Sequence, residues 1–221
     1  MSTIPVLGAM GAVLFPGMRC GILLATPQAK AAVRAVIEGP RPKQIAVFAT
    51  RTPEPRDRDD LYSVGTFAQV VSLTRRRCCG RWVANLRGAG RARSIEYVQW
   101  EPFRTAEVEP LAESTGQSLV VEALGSAIRR AVTQLHERKP GCRHASGAWS
   151  ALKAPIAACE LAGAAAGLLR HLPVEEHQRL LEAEPLATQL EGVLAHLHGL
   201  LAQAEGEIRS PEGRAAALGW S

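Results

Sequence analysis

Aromatic residues make up only 5% of this 221-residue chain. Its core must therefore be assembled from Leu, Val, Ile and Ala. Lysine is scarce as well: Lys30, Lys43, Lys139 and Lys153 are the only ones, and none of them follows a glycine. A phosphate-cradling P-loop ends in Gly-Lys-Ser/Thr, so that route to nucleotide hydrolysis is excluded. No Gly-x-Ser-x-Gly nucleophile elbow occurs, and Ser146 and Ser150 beside His144 form no other hydrolase pattern. No uninterrupted apolar run reaches the ~20 residues that a membrane helix needs. The run from Ala154 to Leu169 comes nearest, and Glu160 and several glycines break it. At the amino terminus no basic stretch precedes the apolar residues, which Pro5, Gly8, Gly11 and Pro16 interrupt. A signal peptide is not expected there.

The five cysteines, Cys20, Cys78, Cys79, Cys142 and Cys159, are odd in number and irregularly spaced. They do not read as a disulfide framework, and a cytoplasmic protein with reduced thiols is expected. Cys78 and Cys79 lack the two-residue separation of a zinc pair, so no metal site is expected, even with Cys142 or His144. No cofactor is expected either. His196 and His198 stand two apart and fall on different faces of a helix. Glu175 and Glu176 suit a first helical turn, where they favour the helix dipole.

What remains is an ordinary globular composition: 47% hydrophobic, 21% charged and a net charge of +5 carried almost wholly by arginine. The character of the chain changes near residue 112. Before it, short apolar runs bounded by Pro and Gly predict strands: Ala12–Phe15, Gly21–Leu24, Ile45–Phe48, Val64–Leu73, Trp82–Leu86 and Ser94–Trp100. The segment Arg75–Gly80 reads as a hairpin tip, and Gly88-Ala89-Gly90 as a tight passage between two strands. Thr26-Pro27 opens a helix as N-cap and first residue, and Gly39-Pro40 stops it. Many short strands at this spacing indicate a small barrel or sandwich.

After Pro110 the spacing becomes helical. Val121, Leu124, Ile128, Val132 and Leu135 make one stripe. A loop is expected over Lys139–Trp149 and a second helix to about Arg170. A third helix opens at Pro173, and a fourth runs from Leu186 to Ile208. The expected organisation is α+β: a β-rich domain over 1–112, a helical bundle over 113–209 and a flexible tail over 210–221.

The order of motifs resembles one family. Ile4-Pro5-Val6-Leu7 followed by Val13-Leu14-Phe15-Pro16-Gly17-Met18 resembles the opening of Lon protease amino-terminal, substrate-binding domains. Asp60-Leu61-Tyr62-Ser63-Val64-Gly65-Thr66 is similar to that family's Asp-Leu-Tyr-x-Val-Gly-Thr signature. Gly88-Ala89-Gly90-Arg91 with Ile95 resembles its Gly-x-x-Arg-x-x-Ile segment, and Leu172-Pro173 through Glu182 its Leu-Pro-x-Glu-x-Lys-Gln-x-Leu-Leu-Glu stretch. Together these cover roughly residues 4 to 208. The chain departs from the family where Met10-Gly11 replace a common Arg-Asp, around Cys20-Gly21, and at the basic hairpin tip.

The resemblance implies a PUA-like β pseudo-barrel followed by a helical bundle. It further implies a non-catalytic module that binds unfolded or client proteins, stands apart from ATPase and protease domains, and acts as an adaptor or regulator of proteolysis with a protease as partner. The candidate peptide-binding residues are Phe15, Pro16, Met18, Tyr62 and Trp82, with a core role as the alternative for Phe15. Met is adaptable and suits promiscuous contact. A competing reading is an RNA- or DNA-binding module. Its candidate residues are Arg75, Arg76, Arg77 and Arg81 on the hairpin, supported by Arg87, Arg91 and Arg93.

Overall fold

The computed structural model describes residues 2–52, 55–112, 118–138 and 156–209. Among them the fold is α+β, with six strands and five α-helices. The strands are β1 (Ser2–Ala9), β2 (Arg19–Leu23), β3 (Gln44–Ala49), β4 (Val64–Arg75), β5 (Trp82–Gln99) and β6 (Thr105–Pro110). The helices are α1 (Pro27–Glu38), α2 (Leu119–Arg138), α3 (Ala158–Ala166), α4 (Val174–Glu182) and α5 (Leu186–Arg209). Two compact units emerge. One takes the described residues up to 112 together with Arg170–Ala183; the other takes the remaining helical residues.

The strand order is β2-β5-β4-β3-β1-β6, and β5 also pairs with β6. The sheet therefore closes on itself through β5, which serves β4 along its first part and β6 along its last, from Ala92 to Gln99. Register shifts in both pairings, and a parallel β1–β3 pair among antiparallel neighbours, make this a mixed, bulged pseudo-barrel rather than a regular one. β3 sits between two cores, which explains its unbroken apolar run. Ile45 and Val47 face one cluster with Leu7, Val33, Val36 and Leu86. Ala46 and Phe48 face the other, with Val6, Leu61, Ala106 and Val108. α1 begins as its sequence requires: Thr26 Oγ1 accepts the Ala29 N–H at 3.1 Å, and Pro27 occupies the first turn.

Three readings of the sequence change. Ala12–Phe15 is not a strand but a loop, buried from Val13 onward. Gly88-Ala89-Gly90 does not separate two strands, because β5 runs through it. The reason is a close approach rather than a turn. Gly88 donates to Met18 O at 2.9 Å and accepts from Gly17 N–H at 3.0 Å, and a Cβ on Gly88 would lie 2.1 Å from Phe15 O. Gly65 of the Val-Gly-Thr signature has the same role against β3, where a Cβ would lie 2.2 Å from Val47 O. Third, two strands absent from the sequence reading appear: Ser2–Ala9, and Thr105–Pro110, which its charges and flanking prolines conceal.

α4 belongs with the β-rich unit for a polar reason. Gln178, 1% exposed, donates to Val64 O at 2.8 Å and to Glu182 Oε1 at 2.7 Å. Arg91, also buried, donates to Leu181 O and Ala183 O, both at 3.4 Å, at the helix end whose carbonyls lack helical partners. His177 meets Phe15 edge-on, with ring centroids 6.2 Å apart. These contacts, rather than position along the chain, place residues 170–183 outside the helical bundle.

In the second unit, α2, α3 and α5 pack through apolar stripes. Val121, Ile128 and Val132 are buried on α2, and Leu186, Leu190, Val193, Leu197 and Leu201 on α5. Gly125 leaves room for Leu161 of α3, whose Cδ2 would meet an added Cβ at 3.2 Å. Arg138 and Glu205 pair at 2.8 Å. The expected loop over Lys139–Trp149 and the expected tail over 210–221 lie outside the described residues.

The Gly88 contact gives a direct test. Gly88→Ala must drive the loop off β5, so it is expected to lower unfolding free energy by about 2–3 kcal/mol in urea titration, against less than about 0.5 for Ala89→Ser on the exposed face.

Candidate functional site

The β-rich unit carries an open cleft of about 580 Å³. Its walls are largely apolar: Met10, Ala12, Val13, Met18, Ile22, Leu23 and Ala29, with Thr50, Arg56 and Arg104 forming a polar corner. Met10 is 58% exposed and Leu23 38%, so two large apolar side chains stand uncovered at the mouth.

β2 borders this cleft and is the last strand of the order. Leu24 N–H donates to Trp82 O, and Gly88 N–H to Met18 O, both at 2.9 Å. Antiparallel pairing alternates, so Met18, Cys20, Ile22 and Leu24 turn their backbone groups to β5. Arg19, Gly21 and Leu23 then turn theirs outward. All three are exposed, which leaves a strand edge with free donors and acceptors beside an apolar cleft.

The polar corner is built on Arg104. Its guanidinium lies 5.0 Å from the Trp100 ring, which stacks on Tyr97 at 5.2 Å. Its Nη2 donates to Pro55 O. Burial pushes this guanidinium below the usual arginine range, while the charges of Tyr97, Glu101 and Asp60 oppose the shift. Burial likewise pushes the Tyr97 hydroxyl up to about 12. Backbone N–H groups of Arg56 and Asp57 hold the Asp60 carboxyl below the ordinary aspartate range.

Of the five residues singled out for peptide contact, Met18 lines the cleft. Phe15, at 1% exposure, and Pro16 are buried and are not among the residues that line it. Tyr62 is nearly buried under Arg51, whose guanidinium sits 4.0 Å over its ring. Trp82 packs on the core with Arg34 at 5.8 Å. Sequence reasoning missed Met10, Ile22, Leu23, Thr50 and Arg104. Met10 carried a signal, being an apolar residue next to Gly11, and Ile22 and Leu23 belong to a short apolar run after Gly21, whereas Thr50 and Arg104 carried none.

Arg75, Arg76, Arg77 and Arg81 are exposed on the β4–β5 hairpin. Arg76 and Arg81 close its tip backbone to backbone, Gly80 supplies φ +66°, and Arg75 Nε donates to Gly80 O at 2.9 Å. Arg91 leaves this basic set, since it is buried and spent on the α4 carbonyls. Arg93 faces Glu109 at 3.9 Å. Cys78 and Cys79 are exposed, free thiols at the tip. Among the described residues no cluster of three or more His, Cys, Asp or Glu side chains could hold a metal ion. Cys142, His144, Ser146 and Ser150 lie outside them. No described helix is long and apolar enough to cross a membrane.

The thiols differ in a measurable way. The Arg81 backbone N–H, the Cys78 thiol and the charges of Arg81 and Arg76 hold Cys79 below the usual thiol range, whereas burial pushes Cys20 up to about 11. A lower value means more thiolate at neutral pH. Iodoacetamide is therefore expected to label Cys79 at least ~10-fold faster than Cys20 near neutrality, read by peptide mapping.

Comparison with known proteins places this architecture. Lon protease of Paraburkholderia phytofirmans is 32% identical over 189 residues, 83% of this chain and 22% of that protein. Lon protease 2 of Sorangium cellulosum is 29% identical over 202 residues, 87% of this chain and 24% of the relative. The chain thus spans about a quarter of the length of these relatives. Two solved structures share the fold. The N-terminal domain of Mycobacterium avium complex Lon protease has a TM-score of 0.71 at 21% identity, covering 89% of this chain and 98% of that one. A Lon N-terminal domain protein from Xanthomonas campestris has a TM-score of 0.57 at 18% identity, covering 88% and 98%. The model of the ATP-dependent protease La (LON) substrate-binding domain matches residues 3–199, and the chain belongs to that family.

Proposed function

We propose that this chain is a non-catalytic protein-binding module that captures apolar polypeptide segments in extended form. The carrying observation is the juxtaposition of an unpaired β2 edge with an apolar cleft walled by two methionines. An incoming strand would exchange backbone hydrogen bonds with Arg19, Gly21 and Leu23, independent of sequence. Its alternate side chains would enter the cleft. Apolar burial contributes ~25 cal/mol per Å² before association costs, and methionine repacks around varied shapes. Broad client choice follows from that combination.

Within proteolysis the module would act as an adaptor or regulator, presenting unfolded clients to a protease while itself hydrolysing neither nucleotides nor peptide bonds. The substrate-binding description of its family and the Lon proteases among its relatives support this reading. A cytoplasmic setting fits the exposed free thiols Cys78 and Cys79.

Titration of a fluorescent apolar peptide into the protein tests the reading. Binding is expected to saturate and to weaken at least ~10-fold in Met10→Glu, which puts a charge at the exposed mouth without disturbing the core. Absence of binding, or indifference to Met10→Glu, removes the cleft from consideration.

The exposed arginine hairpin favours a second reading, contact with RNA or DNA. It requires affinity that falls steeply with salt and a slope that drops by about two on the double change Arg76→Glu, Arg77→Glu. Weak, salt-insensitive binding dismisses it.

A further inference from the structure

The polar corner says which part of a polypeptide enters the cleft, and this step rests on the reading just given. Thr50 is 7% exposed, and its Oγ1 has no hydrogen-bond partner among the described residues. Arg104 Nε is also buried without one. Both residues line the cleft. Gly8 lies against both of them: a Cβ on Gly8 would lie 3.0 Å from Thr50 Cγ2 and 3.7 Å from Arg104 Nη1. Arg104 Nε only donates and the Thr50 hydroxyl can donate, so these two unanswered groups on one cleft wall suit an acceptor that carries negative charge.

Arg104 is held ready for such a group. Trp100 lies against its guanidinium, Pro55 O takes Nη2, and its own carbonyl accepts Val6 N–H at 2.8 Å. No ion pair links it to a carboxylate among the described residues. Asp60, whose charge reaches Arg104, is already engaged: its Oδ2 accepts the N–H of Arg56 at 2.7 Å and of Asp57 at 3.3 Å. Arg56 adds exposed positive charge at the rim. A bound anion would offset the desolvation that Arg104 now bears.

We propose that Thr50 and Arg104 form a carboxylate subsite that receives the C-terminal carboxylate of a client polypeptide, whose last apolar side chains fill the cleft beside Met10 and Met18. A chain end delivers its charge on the backbone and leaves the neighbouring side chains apolar, as the walls require. Capture of a terminal carboxylate by fixed donors is an established recognition mode elsewhere.

The test uses three amino-terminally labelled peptides of one apolar sequence in fluorescence anisotropy: the free acid, the C-terminal amide, and an amide with an aspartate near its end. The free acid is expected to bind about tenfold tighter than the amide, the worth of a charge-assisted hydrogen bond, with the aspartyl amide close to the plain amide. The acid-to-amide ratio is expected to fall below about twofold in Arg104→Gln and to about threefold in Thr50→Val, with recovery in Thr50→Ser. Amidation alters only the ligand, so the comparison stands even if Arg104→Gln folds poorly. Equal binding of acid and amide overturns the carboxylate subsite while leaving the apolar cleft intact. An aspartyl amide as tight as the acid overturns the assignment to a chain end. Failure of every peptide to bind overturns the cleft reading itself.

Discussion

The pair of hydrogen bonds between Gly88 and the Gly17–Met18 segment is the constraint on which the β-rich unit turns. It clamps the loop onto β5, with Thr66 Oγ1 adding a 2.5 Å bond to Leu14 O from the neighbouring strand. The clamp sets three things at once. Val13, Leu14 and Phe15 enter the core in loop conformation, with the Leu14 carbonyl answered by Thr66 from the sheet and the Phe15 carbonyl by the Met18 N–H of the turn. β2 leaves the clamp already in register with β5. Met18 emerges at the floor of the cleft. A side chain at position 88 would separate the two backbones, and all three would be lost together.

The same economy governs the family's signature residues. Val64 and Gly65 come from one signature, Arg91 from the second, Gln178 and Leu181 from the third. Far apart in sequence, they converge where α4 meets the sheet: Gln178 reaches Val64 O and Arg91 reaches the carbonyl of Leu181. These are polar groups buried in a mostly apolar setting, so each partner is obligatory. Such residues hold a fold more firmly than they advertise a binding surface, which is why a shared signature identified the architecture and said little about the ligand.

Legibility in the sequence divided along the same line. Periodicity and punctuation revealed α1, the helical stripes and the hairpin, because those features are local. The passage through Gly88 was misread since glycines that admit a neighbouring backbone look like glycines that turn. Arg91 looked like one more surface cation, for nothing in its sequence neighbours shows that helix carbonyls await it. Phe15 and Pro16 stood out as apolar residues in a turn, yet their burial depends on β5, seventy residues on. Thr50 and Arg104 were invisible for a related reason. An unanswered buried donor is defined by what fails to surround it, and that is a property of the folded molecule alone.

The return of α4 to the β-rich unit makes that unit discontinuous along the chain. A fragment trimmed where strands give way to helices would therefore be incomplete. It would keep Arg91 but shed the Leu181 and Ala183 carbonyls that receive it, taking two hydrogen bonds from a buried cation. It would also strip Val64 of its amide donor and uncover the ring of Phe15. The helical half is thus no detachable appendage in covalent terms, since its connections carry the piece that seals the sheet.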